Sequence, residues 1–183
     1  MDEPTLIAKS RAGDVEAYDH LVGAYQDRIY HVAFRITGNR EDAWDAAQDA
    51  FVRAYQGLRS FRGDAGFSTW LHRITVNAAL DIVRRRPRTA GDLDPLWTAG
   101  DDPASEAVRH DVQRRVHQAI AALPAEQRTA IVLRDIQGLS YEEIARVLQV
   151  PLGTVRSRLA RGREALRVRL KDLAPAGQEE DRW

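Results

Sequence analysis

Apolar side chains recur at three- and four-residue spacing along nearly the whole chain, and no stretch alternates apolar with polar as a half-buried strand would. That periodicity confines the chain to an all-α fold. Tyr18, Leu21, Val22, Tyr25, Ile29, Val32, Ala33 and Ile36 form one stripe, which Gly38-Asn39 should end. A second helix is expected from about Arg40 to Gly57, burying Trp44, Ala47, Phe51, Ala54 and Tyr55 and turning Asp42, Asp45, Gln48 and Asp49 outward. A third runs from roughly Phe67 to Arg86, with Phe67, Trp70, Leu71, Ile74, Ala78 and Ile82 inward, until Pro87 stops it.

From Pro87 to about Ser105 the composition shifts to Gly, Pro, Asp and Thr, with only Leu93, Leu96 and Trp97 as apolar content. This is too little to support a core. The chain of 183 residues is therefore expected to form two small helical domains, 1–87 and 106–173, joined by a flexible linker, 88–105, and followed by a tail, 174–183. In the second domain one helix should end before Pro124, and another, Ala125 to Gln137, should end at a left-handed Gly138.

The junction that follows is the most informative local pattern. Ser140-Tyr141-Glu142-Glu143 has the form of a capping box, in which a hydroxyl and a carboxylate satisfy the free amides of a helix start. Ile144, Ala145 and Leu148 should be buried, Val150-Pro151 should make the turn, and Pro151 should open the next helix. That helix buries Leu152, Val155, Leu159, Leu166 and Leu170, leaving Thr154, Arg156, Ser157, Arg158, Arg161 and Arg163 exposed. A short helix, a turn and a basic second helix make a helix-turn-helix. Arg156 and Ser157, with Ala160 and Arg161 one turn on, could face base edges; Thr154, Arg158 and Arg163 are better placed for phosphates.

Charge supports this reading only because of its distribution. The formal net charge is zero, with 27 basic and 27 acidic residues. They are segregated: Asp92, Asp94, Asp101, Asp102 and Glu106 lie in a stretch without Lys or Arg, whereas Leu152 to Lys171 holds six Arg and one Lys against Glu164 alone. A local field of one sign attracts a polyanion whatever the total.

The third helix carries a second pattern, the polar strip Thr69, Arg73, Asn77, Asp81 and Arg84, downstream of a Gly-containing loop with Phe61. Cations, an amide and aromatic rings on one surface suit unstacked bases, although Trp70 fits a core position better than a base platform. No enzyme is expected. The five histidines lack metal-ligand spacing, the chain has no cysteine, and there is no phosphate-binding glycine loop. No metal, cofactor or small-molecule substrate is implied. No apolar run approaches the length of a membrane span, and Met1-Asp2-Glu3-Pro4 lacks the features of a secretory signal, so a cytoplasmic location is expected. On these residues alone, a two-domain DNA-binding regulator and a helical adaptor both stay open.

The motifs together resemble a known family. Ser60-Phe61-Arg62-Gly63-Asp64 with Phe67-Ser68-Thr69-Trp70-Leu71-His72-Arg73-Ile74 and Asn77 looks like the promoter-melting segment of extracytoplasmic-function sigma factors, the envelope-stress type above all. Asp45 to Tyr55 resembles that family's polymerase-binding helix, and Gly138 to Ala145 with Val150 to Leu159 is similar to its helix-turn-helix.

The resemblance implies an RNA polymerase sigma factor made of sigma domains 2 and 4. Asp45, Gln48, Asp49, Phe51 and Arg53 would dock on the β′ clamp helices of core polymerase, with the β flap as a further contact. Phe61, Arg62, Gly63, Asp64, Thr69 and Asn77 would surround a flipped base of the −10 element, and Arg73, Arg84 and Arg85 would track the strand. Arg156, Ser157, Ala160 and Arg161 would face the −35 element, flanked by Thr154, Arg158 and Arg163. Ala160 departs from relatives with a bulky aromatic at that place. The family further implies an anti-sigma factor, a stress response, no catalysis, and a free factor that is a monomer.

Overall fold

A computed structural model describes residues 1–63, 66–86, 94 and 103–173, with side chains from 111 onward in the last stretch. The described residues are helical and contain no strand. The elements are α1 (Glu3–Arg11), α2 (Val15–Thr37), α3 (Arg40–Gly57), a 3-10 turn (Leu58–Ser60), α4 (Phe67–Arg85), α5 (Pro103–Ala121), α6 (Ala125–Ile131), α7 (Tyr141–Leu148) and α8 (Leu152–Arg169). Most of the expected linker, the tail and Asp64 lie outside the described residues.

Side-chain acceptors start the helices where the sequence offers them. The Asp14 carboxylate accepts from the Ala17 amide (3.0 Å) to open α2, and the Asn39 carbonyl oxygen accepts from Asp42 N–H (3.0 Å) to open α3. Gly38 closes α2 in the left-handed conformation (φ 74°), with its N–H on the Phe34 carbonyl at 2.8 Å. A side chain there would be strained. The capping box at Ser140 is complete: Ser140 N–H donates to Glu143 Oε2 (2.8 Å) and Glu143 N–H to Ser140 Oγ (3.2 Å). Gly138 is left-handed as expected (φ 74°). The turn between α7 and α8 begins one residue before Val150, at Gln149, which takes φ 53°.

α1 to α4 form the first module. Its inner cluster holds Leu6, Tyr18, Leu21, Ile29, Ala54, Leu58, Phe67 and Leu71. The expected α2 stripe is buried or half-buried throughout. The expected inner face of α3 is corrected. Trp44 is 56% and Tyr55 41% exposed, whereas Asp42, read as an outward acid, is buried and pairs with Arg86 at 3.2 Å. Ala47 and Ala54 are inside as expected, and Ala43, Ala46 and Ala50 join them, so that small residues let α2 and α4 approach α3 closely.

α5 to α8 form the second module. α6 continues from Val132 to Ile136 as a wider π-type turn, closed by Gln137 N–H on the Val132 carbonyl at 3.0 Å. α8 packs tightly on α6 at Gly162, where a Cβ would come within 2.9 Å of Ile131 Cγ1.

The modules share one hydrophobic core. Val32, Phe34 and Ile36 of α2 and Val76 and Ala79 of α4 belong to the same buried cluster as Leu133, Ile144, Val147, Val155 and Leu159 of the second module. α7 lies against α4, so α4 is buried on two sides, and His72, Thr75 and Val76 join its expected stripe in the interior.

Candidate nucleic-acid interface

The basic helix α8 stands on its buried edge of Val155, Leu159 and Gly162 and presents Arg156, Ser157, Ala160 and Arg161 to solvent. Ser157 Oγ donates back to the Thr154 carbonyl at 3.0 Å, which holds the side chain against the first turn. Its arginines fall into two sets. Arg158 pairs with Glu126 at 2.9 Å, Arg163 grips Asp135 with two donors (3.2 and 2.6 Å), and Arg167 pairs with Glu164 at 2.7 Å. The Asp135 carboxylate raises the Arg163 pKa further above its ordinary value. Arg156 and Arg161 have no carboxylate partner among the described residues. Arg156 and Arg161, like Arg169 in the last turn, are thus clear of acids among the described residues, while Arg158 and Arg163, expected at phosphates, are held by acids of their own module. Thr154 is half-buried at the start of the helix.

In the first module a cavity of about 360 Å³ opens at the start of α4. Ser60, Phe61, Arg62, Gly63, Thr69, Trp70 and Arg73 line it, and Arg146 of α7 reaches it from the second module. Phe61 is not a free loop ring. It is 9% exposed and packs on Trp70 (ring centroids 5.0 Å apart) and edge-on to Phe67 (5.9 Å). Trp70, read as a core residue, is half-buried and gives part of its surface to the cavity. Gly63 takes φ 79° and turns the chain out of the 3-10 segment. Thr69 is buried as part of the lining, Arg73 is half-buried, and Arg62 is exposed. Asn77 is exposed two turns along α4, on the strip with Arg73 but outside the cavity. Arg84, which pairs with Asp81 at 3.4 Å, and Arg85 are exposed at the far end of the helix.

The outer face of α3 carries Asp45, Gln48 and Arg53 in the open, with Asp49 held to Arg53 at 2.7 Å. Phe51 is half-buried, and Tyr18 Oη donates to its carbonyl at 2.6 Å. Beside these polar groups lie Trp44 and Tyr55, which the periodicity placed inside, and Val52. Val52 and Tyr55 line one shallow apolar hollow with Val15, Tyr18 and Phe51, and Trp44 lines another with Tyr30 and Phe34. A signal was present in the sequence, because the Ala-rich register of α3 offers an inner face that excludes Trp44 and Tyr55. Among the described residues no group of side chains could hold a metal ion, and no helix is long and apolar enough to cross a membrane.

Comparison with known proteins agrees with this layout. Residues 21–89 match the family model for sigma-70 region 2, and residues 113–166 match that for sigma-70 region 4. The RNA polymerase sigma-H factor of Pseudomonas aeruginosa is 41% identical over 180 residues, covering 92% of this chain and 93% of that protein. Among solved structures, CnrH in complex with the cytosolic domain of CnrY aligns with a TM-score of 0.71 and 26% identity over 93% of this chain and 97% of CnrH. The sigma factor RpoE of Bartonella quintana, solved with the anti-sigma factor NepR, aligns with a TM-score of 0.65 and 26% identity over 84% of this chain and 96% of RpoE. Two sigma-70 regions in order, on two helical modules, and close relatives along nearly the full length establish that this chain belongs to the extracytoplasmic-function sigma factors of the sigma-70 family, non-catalytic proteins that act in transcription initiation.

Proposed function

We propose that the protein brings core RNA polymerase to promoters with a −35 and a −10 element and helps open them. In this reading 1–87 is the polymerase-binding and −10 domain, 88–105 an acidic linker whose last residues enter α5, 106–173 the −35 domain, and 174–183 a tail. Asp45, Gln48, Asp49, Phe51 and Arg53 dock on the β′ clamp helices, and the second domain meets the β flap. Arg156, Ser157, Ala160 and Arg161 read −35 duplex, with Thr154, Arg158 and Arg163 at its backbone. The cavity bounded by Phe61, Arg62, Gly63, Thr69 and Arg73, with Asp64 and Asn77 beside it, takes an extruded −10 base, and Arg84 and Arg85 follow the strand.

The observation that supports this most is the sorting of cations on α8. Arg156 and Arg161 keep their guanidinium groups free of carboxylates on the face an α-helix would press into a major groove, where a bidentate arginine contact to guanine is worth about 1–3 kcal/mol of discrimination. Base capture in the α4 cavity would offset part of the unstacking cost, on the order of a few kcal/mol.

An anti-sigma factor holding the protein inactive until a stress releases it also belongs to this reading, supported by the likeness to a sigma factor solved with one. The protein acts in the cytoplasm and is a monomer when free. The test is to mix it with core polymerase from the same bacterium and a library of promoter fragments, then map transcript starts. Specific starts that vanish without the protein are expected; a DNA-binding regulator or an adaptor would give none.

A further inference from the structure

We propose that the open cavity at the start of α4 is a binding site for a free nucleoside polyphosphate, with the phosphates on Arg62, Arg73 and Arg146 and the base against Trp70. The inference goes beyond the promoter reading and does not depend on it, because it stands on what lines the cavity.

Charge is the first observation. Arginines from three separate segments line one opening: Arg62 just after the 3-10 turn, Arg73 on α4 and Arg146 on α7. Arg62 and Arg73 make no side-chain hydrogen bond or ion pair with any described residue, and Arg146 reaches only the Glu142 carbonyl, with Nε 3.4 Å away. No acid is among the described lining residues. Arg73 is also half-buried. Cations gathered around a partly enclosed space repel one another and give up solvent, a cost that a polyanion offsets. Guanidinium groups suit phosphate in particular, since their paired donors match two of its oxygens.

A buried hydroxyl is the second. Thr69 is 8% exposed and lines the same cavity, yet its side chain has no hydrogen-bond partner among the described residues. Thr37, Thr75 and Thr129, buried like it, each return their hydroxyl to the carbonyl four residues back, at 3.0, 2.9 and 2.7 Å. Thr69 alone of these four leaves a donor and an acceptor open at a cavity wall, and a buried polar group without a partner calls for one.

The third is a fixed aromatic wall. Trp70 is backed by Phe61, 5.0 Å away between ring centroids, and lies so close to the backbone of α3 that a Cβ at Gly57 would come within 3.3 Å of it. A ring held in this way offers its free surface to a base at little cost in ordering. The cavity volume of about 360 Å³ is within the usual span of small-molecule pockets, about 300–1,000 Å³. Arg146 belongs to the module proposed to read −35 duplex, so capture of a −10 base does not call for it. A compact ligand with several phosphates uses all three cations.

Equilibrium dialysis of the full chain against ATP, GTP, AMP and inorganic tripolyphosphate tests the site. ATP or GTP should bind saturably at one site per chain, about tenfold or more tighter than AMP, which lacks phosphates for all three arginines, and than tripolyphosphate, which lacks a base. Arg146→Ala and Arg62→Ala, both at exposed positions, should each weaken the nucleotide by about tenfold while the melting temperature stays that of the parent. Arg161→Ala, which removes an equally exposed arginine from α8, should leave the affinity unchanged. Absence of saturable binding by both nucleotides, tripolyphosphate binding as tightly as either, or an equal loss for Arg161→Ala would each overturn the proposal. If one cavity variant melts early, the other decides.

Discussion

His117 of the second module lies flat on Phe34 of the first, with ring centroids 5.1 Å apart and planes 6° from parallel. Both rings are buried, and neither imidazole nitrogen has a hydrogen-bond partner among the described residues. Burial, with the guanidinium groups of Arg35 and Arg128 nearby and only Asp94 opposing them, lowers the His117 pKa from 6.5 to about 4.

Because the folded protein keeps this ring neutral where an unfolded chain would protonate it, stability should rise with pH across that window and be lost as pH falls from about 6.5 toward 4. The full effect is on the order of 3 kcal/mol. His72, buried beneath α7 and also lowered, acts in the same direction. Denaturant unfolding at pH 7.5 and pH 5 should show a smaller loss on acidification for His117→Phe than for the parent. An equal loss in the two proteins would remove His117 from this role.

Gly162 tests the packing of α8 on α6. Alanine there gains up to about 1 kcal/mol of helix propensity, but its methyl group meets the fully enclosed Ile131 at 2.9 Å, and overpacking of this kind typically costs about 1–3 kcal/mol. Gly162→Ala should therefore be net destabilising by about 1 kcal/mol. A melting temperature equal to or above that of the parent would mean that Ile131 yields.

Arg156 and Asn77 should separate recognition from melting. Arg156→Ala is expected to cost about 1–3 kcal/mol of −35 discrimination, read as competition between the best duplex and single-base variants. Asn77→Ala should leave polymerase affinity unchanged and lower open-complex yield. If opening is also unchanged, Asn77 does not contribute to strand capture, in line with its position outside the α4 cavity.

Asp135 restrains a cation on α8, the helix proposed to face DNA. Asp135→Asn would release Arg163 from its two-donor grip, so non-specific DNA affinity should rise and its dependence on salt should steepen by up to about one unit in the logarithmic slope. Titration of a random duplex at several salt concentrations measures it. A parallel pair of salt plots would remove Arg163 from the phosphate contacts proposed above.

Local chemistry was readable wherever one residue's own preference sets the outcome. The left-handed glycines at 38 and 138, the Ser140–Glu143 box, the α2 stripe and the break before α8 depend on neighbours within four residues, so spacing alone disclosed them. The outer polar face of α8 followed for the same reason. The packing of Phe61 on Phe67 and Trp70 was not legible because it depends on the chain folding back across a loop, and α1 went unnoticed because a short helix with little apolar content has no periodic signal.

The sequence by itself determined a helical protein with a capped turn into a basic helix, since helix, cap and turn energies are local, and its motifs carried the likeness to the sigma family. Only the tertiary structure decided which side of α3 is buried, which arginines of α8 are already paired, and that the two modules share a core across α4 and α7. Those outcomes depend on partners up to about a hundred residues away along the chain, as between Arg28 and Gln137, and no periodicity within one helix can encode which distant surface it will meet.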